Sequence, residues 1–310
     1  MGQSDRKIIL VIRRTRLQEL VSRYNTVEQA RFQAEHLGMD FSDFLQEDAL
    51  YQAAIAQVEE DLKVHGRVQR LDRGFLPNFL FPPQCLVVVL GQDGLVANTL
   101  KYLDGQPVMA INPDPARWEG VLLPFVVQDV RAVIAEILRG QRRTRQVSMG
   151  RARLSDGQEL LAVNDFFIGA RSHVSARYDI ALGDRSERQS SSGVIVSTGL
   201  GSTGWLRSVL TGATAIAGKS SARAQALRER GMDWAAEELV FSVREPYPSR
   251  SSQASLVFGQ CSTGSPLRIR SLMPEGGVIF SDGIEADGLD FRSGLEAVID
   301  LSPRQGLLLN

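Results

Sequence analysis

One aspartate of this chain lies in a sequence setting that suits phosphate chemistry. Asp93 is part of the turn Gly91-Gln92-Asp93-Gly94, which follows the apolar run Leu86–Leu90 and precedes apolar residues at helical spacing. A strand that enters a helix through a glycine turn brings backbone N–H groups and a positive dipole end together, which favours an anion. A carboxylate there could take a proton from a hydroxyl while the backbone holds a phosphate. Asp is also a common helix N-cap, and the local sequence favours neither role.

A second glycine-rich segment, Thr198–Trp205 (TGLGSTGW), formally matches the dinucleotide fingerprint G-x-G-x-x-G. That fingerprint should open a βαβ unit and be followed by an acidic residue about 20 positions later. Here the first acidic residue is Glu229, so we do not expect a dinucleotide fold at this point. Glycines and hydroxyls still suit close approach to a ribose or phosphate, and we expect Gly201 to reject a side chain and Ser202 or Thr203 to touch a nucleotide. An ordinary tight turn is the alternative.

Two further groups of polar residues could recognise a nucleotide. Asn164-Asp165 places an amide beside a carboxylate, a pair that can bond ribose hydroxyls and adenine edges, although such pairs also form turns. Arg142, Arg143 and Arg145 could hold a phosphate, but basic runs of this kind are commonly solvated strand faces.

Other classes of chemistry find little support in the sequence. It has no P-loop and no HExxH motif, and its three histidines and two cysteines form no cluster that would predict zinc or a Ser-His-Asp set. The 35 basic and 36 acidic residues give a formal net charge of -1, so neither nucleic acid nor an anionic membrane is an expected partner. No apolar run approaches the ~20 residues of a membrane span. We expect a cytoplasmic protein in a reducing compartment.

Strands and helices alternate over the first part of the chain, which predicts a parallel sheet covered by helices. In the expected helix Glu47–His65, four apolar residues recur on one face that we expect to be buried: Leu50, Ala54, Val58 and Leu62. The expected strands are Lys7–Ile12, Val68–Leu71, Leu86–Leu90 and Val108–Ile111, and a further helix is expected over Asp129–Arg139.

After Gly140 the pattern changes to short apolar runs separated by polar and glycine turns, which is typical of an antiparallel β domain. A helical interruption is expected over residues 205–238, and Arg292–Leu301 could be a helix or a strand. We therefore predict an α/β plus β protein. Residues 1–140 form a Rossmann-like parallel α/β domain and residues 141–310 a β-rich, β-sandwich-like domain, whose C-terminus packs back on the first.

With these motifs in order, the sequence resembles the NAD kinases, and among them the divergent mitochondrial type. The motifs follow the order of the family from the first strand to the C-terminus. Gly91-Gln92-Asp93-Gly94 resembles the family's GGDG turn, and Ile111–Gly120 (INPDPARWEG) is similar to the family's VNTDPERSEG segment. Asn164–Gly169 (NDFFIG) is similar to an Asn-Glu pair followed by VFIG, and Ser191–Trp205 is similar to SSGLNLCTGTGSKAW. Phe241–Pro246 (FSVREP) is similar to FSIREP, and Asp282-Gly283 falls near a late Asp-Gly pair of the family.

The resemblance implies two domains with the active site between them and transfer of the γ-phosphoryl group of ATP to the adenosine 2′-hydroxyl of NAD. It also implies a homodimer, NAD and ATP as ligands, and a divalent metal, normally Mg²⁺, with no metal-ligating residue assigned. Asp93 takes the role of general base. The residues carried over as substrate- or nucleotide-binding are Gly91, Gln92, Gly94, Asn112, Asn164, Asp165, Thr198, Gly201, Ser202 and Thr203.

Three residues depart from the family pattern: Gln92 replaces a glycine, Asp165 a glutamate and Thr203 a lysine. If the replaced glycine needs a positive φ or lies against a phosphate, Gln92 would strain or block the site. Two alternatives to an active NAD kinase are therefore open. One is a non-catalytic nucleotide-binding or regulatory protein, and the other is a kinase of a different hydroxyl-bearing substrate.

Overall fold

The computed structural model describes residues 6–219 and 221–310 and divides into two compact units. Unit 1 is the described part of Met1–Arg145 together with Leu307–Asn310, and unit 2 is Gln146–Gly306. In the chain, unit 2 is therefore an insertion between the two parts of unit 1.

Unit 1 contains a parallel sheet with the strand order β5-β4-β3-β1-β2, beside which Leu307 and Leu308 pair with β4. All five residues of β3 are buried, as in a strand covered on both faces. The elements are β1 (Lys7–Ile12), α1 (Arg16–Tyr24), α2 (Val27–His36), α3 (Phe41–Lys63), β2 (Arg67–Asp72), β3 (Leu86–Leu90), α4 (Asp93–Leu100), β4 (Pro107–Asn112), β5 (Phe125–Val126) and α5 (Val130–Leu138).

The long helix α3 differs from the sequence expectation at its start and on one face. It begins at Phe41 because the Asp40 carboxylate caps it by accepting a hydrogen bond from the Ser42 N–H at 2.9 Å. The expectation that Leu50 is buried is wrong, since its side chain is 42% exposed. The neighbouring Tyr51 is buried instead, and its hydroxyl donates to the carbonyl oxygen of Leu90 at 2.7 Å, which ties α3 to the end of β3.

Unit 2 consists mainly of two antiparallel sheets. One has the order β13-β12-β11-β8-β15-β16. The other joins β10, β9, β14 and β17 in that order, with β6 paired to β17 and β7 paired to β6. The elements are β6 (Thr144–Leu154), β7 (Glu159–Ala162), β8 (Asp165–Ala170), β9 (Ala176–Leu182), β10 (Arg185–Ser191), β11 (Val194–Ser197), α6 (Trp205–Ala217), α7 (Ala222–Arg230), β12 (Leu239–Val243), β13 (Phe258–Cys261), β14 (Leu267–Ser271), β15 (Gly277–Ser281), β16 (Ile284–Asp290) and β17 (Glu296–Leu309).

One core cluster of unit 2 is built from side chains of both sheets, as in a β-sandwich. Phe166, Phe241 and Ile279 come from one sheet and Tyr178 and Ile269 from the other. The expected fold class, an α/β part followed by a β-rich part, is thus confirmed. Within the ranges that the structure describes, no helix has both the length and the apolar character needed to cross a bilayer.

Candidate functional site

Asp93 is the first residue of α4, and its side chain does not cap that helix. The N-cap position belongs to Gln92, whose side chain makes no capping hydrogen bond. The carboxylate of Asp93 instead accepts hydrogen bonds from two backbone N–H groups of another segment, that of Leu122 at 2.7 Å and that of Val121 at 3.2 Å. The cap alternative for Asp93 is therefore wrong. This carboxylate is partly exposed and held in one orientation beside a helix N-terminus, whose first N–H groups have no intrahelical acceptor.

The backbone of the turn accepts Gln92 without strain. Gln92 has φ −113° and ψ 165°, which is ordinary extended backbone, so no glycine is needed at this position for conformational reasons. At Gly94 an added Cβ would meet nothing within 4 Å, whereas at Gly91 it would lie 2.8 Å from Leu95 Cδ2, the end of a flexible side chain. The strain that the sequence departure at Gln92 could have caused is absent.

Asn112, at the end of β4, organises the segment that reaches Asp93. It is buried, its Nδ2 donates to the Trp118 carbonyl oxygen at 2.9 Å, and its Oδ1 accepts the Asp114 N–H at 3.0 Å. Gly120 closes the same segment with φ 68°, and a Cβ there would lie 2.7 Å from Asn112 Nδ2. Both polar atoms of the Asn112 amide are thus engaged inside the protein. This geometry supports a structural role and not the direct substrate contact expected from the sequence.

In unit 2, Asn164 and Asp165 lie where β7 passes into β8, and Asp282 forms hydrogen bonds with the backbone there. The Asp282 carboxylate accepts hydrogen bonds from the N–H groups of Asn164 at 2.6 Å and Val163 at 3.1 Å, and Asp282 itself has φ 55°. The Asn164 amide is partly exposed and makes no hydrogen bond to another described residue. It is available to a ligand. No site role was predicted for Asp282, and only its place in the Asp282-Gly283 pair could have indicated one.

The Asp165 carboxyl is buried close to a second acid. Its burial, and then the charge of Asp282, raise the pKa of Asp165 to about 7. Removal from water penalises the ionised form, and a neighbouring negative charge adds to that penalty. Near neutral pH, Asp165 can therefore hold a proton and donate a hydrogen bond, which an ordinary aspartate cannot do.

The segment 198–204 is packed mostly against its own unit. The Thr198 hydroxyl donates to the Val163 carbonyl oxygen at 2.6 Å, and the Ser202 hydroxyl donates to the Gly199 carbonyl oxygen at 2.6 Å and accepts the Met232 N–H at 2.8 Å. Thr198 and Ser202 are fully buried. This geometry favours structural roles for the two hydroxyls over the ligand contacts expected from the sequence.

Gly201 has no room for a side chain, because the protein backbone, and not a ligand, occupies the space. A Cβ on Gly201 would lie 2.0 Å from the carbonyl oxygen of Asn164, which leaves no room for any substituent. The expected steric constraint at Gly201 is therefore present, and its cause is close packing on the Asn164 backbone. Thr203, which is exposed, is the hydroxyl of this segment that a ligand can reach.

An aromatic cavity of about 400 Å³ lies in unit 2 at the start of α6. Trp205 stacks on Phe167 with ring centroids 5.9 Å apart, and the guanidinium of Arg244 lies 5.5 Å from the centroid of the Trp205 ring. Stacked rings and a cation suit a flat aromatic ligand with negative charge nearby. None of these three residues was predicted as a site residue, although each lies in a motif: Phe167 in NDFFIG, Trp205 in TGLGSTGW and Arg244 in FSVREP.

The basic residues near the end of unit 1 fit the solvated alternative better than a phosphate site. Arg142 donates to Glu136 at 2.5 Å, and its guanidinium lies 5.2 Å from the centroid of the Phe125 ring. Among the residues that the structure describes, no group of three or more His, Cys, Asp or Glu side chains is arranged to hold a metal ion.

Comparisons with known proteins give matches in structure only. No protein-family model and no curated protein sequence matches the chain. An NAD kinase from Archaeoglobus fulgidus, solved with ATP, matches with TM-score 0.59 and 15% identity over 98% of this chain and 93% of that one. Yeast NADH kinase, solved with NADH, matches with TM-score 0.59 and 15% identity over 99% of this chain and 84% of that one. The chain therefore has the fold of solved NAD and NADH kinases, as its sequence motifs predict.

Proposed function

We propose that this protein is an NAD kinase in which Asp93 is the general base. The observation that carries the proposal is the state of the Asp93 carboxylate, which does not cap its helix and is held by two N–H donors beside a helix N-terminus. That arrangement offers an oriented base and an anion site within a few residues, the two parts that phosphoryl transfer to a hydroxyl needs most. The fold shared with the two solved kinases supports it.

In the reaction, the adenosine 2′-oxygen of NAD attacks the γ-phosphorus of ATP as its proton passes to an Asp93 oxygen. The bond between the γ-phosphorus and the oxygen bridging to the β-phosphate breaks, and the products are NADP and ADP. The free N–H groups at the start of α4 stabilise negative charge on the transferred group. In unit 2, the Asn164 amide and the exposed Thr203 hydroxyl, which makes one long hydrogen bond of 3.5 Å to the Leu200 carbonyl oxygen, bond the adenosine of a nucleotide, and protonated Asp165 donates a hydrogen bond to the same group.

The site suits a divalent ion that enters bound to the phosphates of the nucleotide. Mg²⁺ is commonly held by substrate phosphates, water and one or two carboxylates, and does not require a cage of protein ligands. At this site the phosphates of the nucleotide would hold the ion, and no protein ligand is assigned to it. When bound, the ion would neutralise charge on the phosphates.

The alternative of a non-catalytic homologue rested on Gln92, and the relaxed backbone there removes strain as a reason for it, but not obstruction of a phosphate by the Gln92 side chain. The experiment that separates the two proposals is a direct assay. Purified protein is incubated with Mg-ATP and NAD, and NADP is measured enzymatically, with parallel reactions containing NADH or inorganic polyphosphate. We expect NADP to form in proportion to enzyme. A pure, folded protein that binds nucleotide but makes no phosphorylated product with any pair would overturn the proposal.

We further propose that the protein is a homodimer, which the family resemblance implies. Light scattering coupled to size-exclusion chromatography should give twice the mass of the 34.1 kDa chain. A monomer at micromolar concentration would contradict this proposal without affecting the one about activity.

A further inference from the structure

The loop of residues 113–122, between β4 and β5, carries the two N–H groups that hold the Asp93 carboxylate. Leu122 and Val121 donate at 2.7 Å and 3.2 Å. The direction in which the Asp93 oxygens point therefore depends on where the 113–122 loop lies. Contacts that fix this loop therefore also fix the orientation of the proposed base, although they lie far from Asp93 in the sequence.

One end of the loop is fixed by Asn112 and Gly120, as described above. Its outer part is fixed by Arg117, whose guanidinium forks between two carboxylates. Nη2 donates to Asp43 at 2.6 Å and Nε donates to Asp114 at 3.3 Å. Asp114 belongs to the loop and Asp43 to the first turns of α3, so Arg117 joins the loop to that helix. A forked guanidinium fixes geometry in a way that a single ammonium does not.

Asp43 is itself held by more than one partner. It accepts a second charge-assisted hydrogen bond from Arg16 Nη2 at 2.7 Å. The hydrogen bonds from Arg117 and then from Arg16 hold the pKa of Asp43 well below its usual range. Arg16 also pairs with the buried carboxylate of Glu47 in α3. The chain of contacts thus runs from a buried helix residue through Arg16, Asp43 and Arg117 to the loop.

We propose that Arg117 is a positioning residue for catalysis, which acts by holding the 113–122 loop so that its N–H groups orient the Asp93 carboxylate. The inference rests on the proposed role of Asp93 as the base. Misplacement of a reacting group by about 1 Å can cost on the order of a hundredfold in rate. A looser loop should therefore lower kcat, whereas substrate affinity should change little, because Arg117 is engaged with Asp43 and Asp114.

The test is the Arg117→Gln variant, which removes the charge and the fork but keeps most of the side-chain length. Two quantities are measured: amide hydrogen exchange of the peptide that contains Val121 and Leu122, and steady-state kinetics with Mg-ATP and NAD. We expect faster exchange in that peptide and a kcat lower by roughly 10- to 100-fold, with both KM values within about twofold. Arg117→Lys, which keeps the charge but not the fork, should fall between the parent and Arg117→Gln in both measurements.

The matched control is Arg131→Gln. Arg131 pairs with the buried carboxylate of Asp61, joins α5 to α3 in the same unit, and has no hydrogen bond to the 113–122 loop. It should leave kcat and the exchange of the Val121–Leu122 peptide unchanged. Asp43→Asn should also speed the exchange and lower kcat, and the effect of the double variant should be smaller than the sum of the two single effects, because both changes break the Arg117–Asp43 contact.

The outcomes separate this inference from the proposed function. Unchanged exchange and unchanged kcat in Arg117→Gln would overturn the positioning role while leaving the kinase proposal intact. A parent protein that makes no NADP would remove the kinase proposal, and the exchange experiment would still show whether Arg117 fixes the loop. Faster exchange with an unchanged kcat would show that the orientation of Asp93 does not limit the reaction, which also overturns the inference.

Discussion

Asp93 shows how one residue type can support two interpretations until its partners are known. A carboxylate at a helix N-terminus usually bonds N–H groups of its own helix. In this protein the N–H donors come from Val121 and Leu122, so the side chain is oriented from outside the helix. A carboxylate that is fixed but not consumed by capping is what a general base at this turn requires.

Substituting Asp93 by Asn tests this role at the level of one atom. The amide oxygen can keep the short hydrogen bond from Leu122, but the basic oxygen is lost. We expect kcat to fall at least about a hundredfold, while the melting temperature stays within a few degrees because only the longer hydrogen bond from Val121 is lost. NADP formation and calorimetry provide the two measurements. Near-parental kcat in a stable variant would remove Asp93 from the mechanism.

Asp165 has a consequence for stability as a function of pH. Its pKa is raised from 3.8 to about 7 in the folded protein. Between those two values the unfolded chain has released the proton and the folded protein still holds it, so the free energy of unfolding falls as pH rises. The total loss is on the order of 4 kcal/mol at 1.36 kcal/mol per pKa unit, and below the lower value this residue makes no contribution.

Asp165→Asn should remove that loss, because the amide resembles the protonated acid and does not ionise. Denaturant unfolding between pH 4.5 and 8, values chosen to bracket the window, should show a variant that gains stability relative to the parent as pH rises. Roughly 1 kcal/mol of relative gain per pH unit is expected in the middle of the window. A constant difference between the two proteins over this range would mean that the pKa of Asp165 is not raised.

At the scale of elements, the turn between β11 and α6 is defined by close packing. Gly201→Ala would place a methyl group 2.0 Å from the Asn164 carbonyl oxygen. We expect a loss of about 1 to 3 kcal/mol and weaker nucleotide binding, because the backbone that carries Asn164 and Asp165 must move.

Gly212→Ala is the control for Gly201→Ala. Gly212 lies in the middle of α6, and its Cβ position is open. The same chemical change should there stabilise the protein by up to about 1 kcal/mol, since alanine favours helix over glycine. Chemical unfolding of both variants, with calorimetric titration of NAD, measures the contrast. Equal effects of the two substitutions would contradict the packing argument at Gly201.

The sequence predicted elements well where the buried residues are apolar and poorly where they are polar. The strand Leu239–Val243 and the helix at Val130–Leu138 follow from apolar spacing. The strand Arg185–Ser191 was missed because its inward-facing residues include Glu187 and Gln189. The Glu187 carboxylate accepts the Leu256 N–H at 2.8 Å, so hydrogen bonds replace apolar contact there and leave no hydrophobic pattern to detect.

In the candidate site, local sequence patterns could be predicted, whereas contacts between distant residues could not. The motifs located the turn of Asp93 and the pair Asn164-Asp165, because glycine and amide–acid patterns are local. They could not show that the Thr198 and Ser202 hydroxyls are engaged inside the protein, since two of their partners, the Val163 carbonyl oxygen and the Met232 N–H, are distant in sequence. The contact between Arg117 and Asp43 could not be predicted for the same reason, because Asp43 lies in another element.

At the scale of the whole molecule, the chain enters unit 1, forms unit 2 and returns to unit 1 in its last residues. The returning segment completes the first unit. Leu307 and Leu308 pair with Pro107 and Val108 of β4, and Leu309 is buried in the core of unit 1. Unit 1 thus depends on residues that follow unit 2 in the chain, whereas unit 2 is continuous in sequence.

Leu309→Ala tests this dependence. Removing a buried leucine side chain costs about 2 to 5 kcal/mol, and the cost should fall on the unit whose core contains Leu309. Amide hydrogen exchange should therefore accelerate in the peptide covering Leu86–Leu90 of unit 1 and much less in that covering Leu239–Val243 of unit 2. Ile216→Ala, at a side chain that is 90% exposed, should change neither. Equal acceleration in both peptides would instead mean that the two units unfold as a single cooperative structure, and that the C-terminal residues stabilise the entire chain.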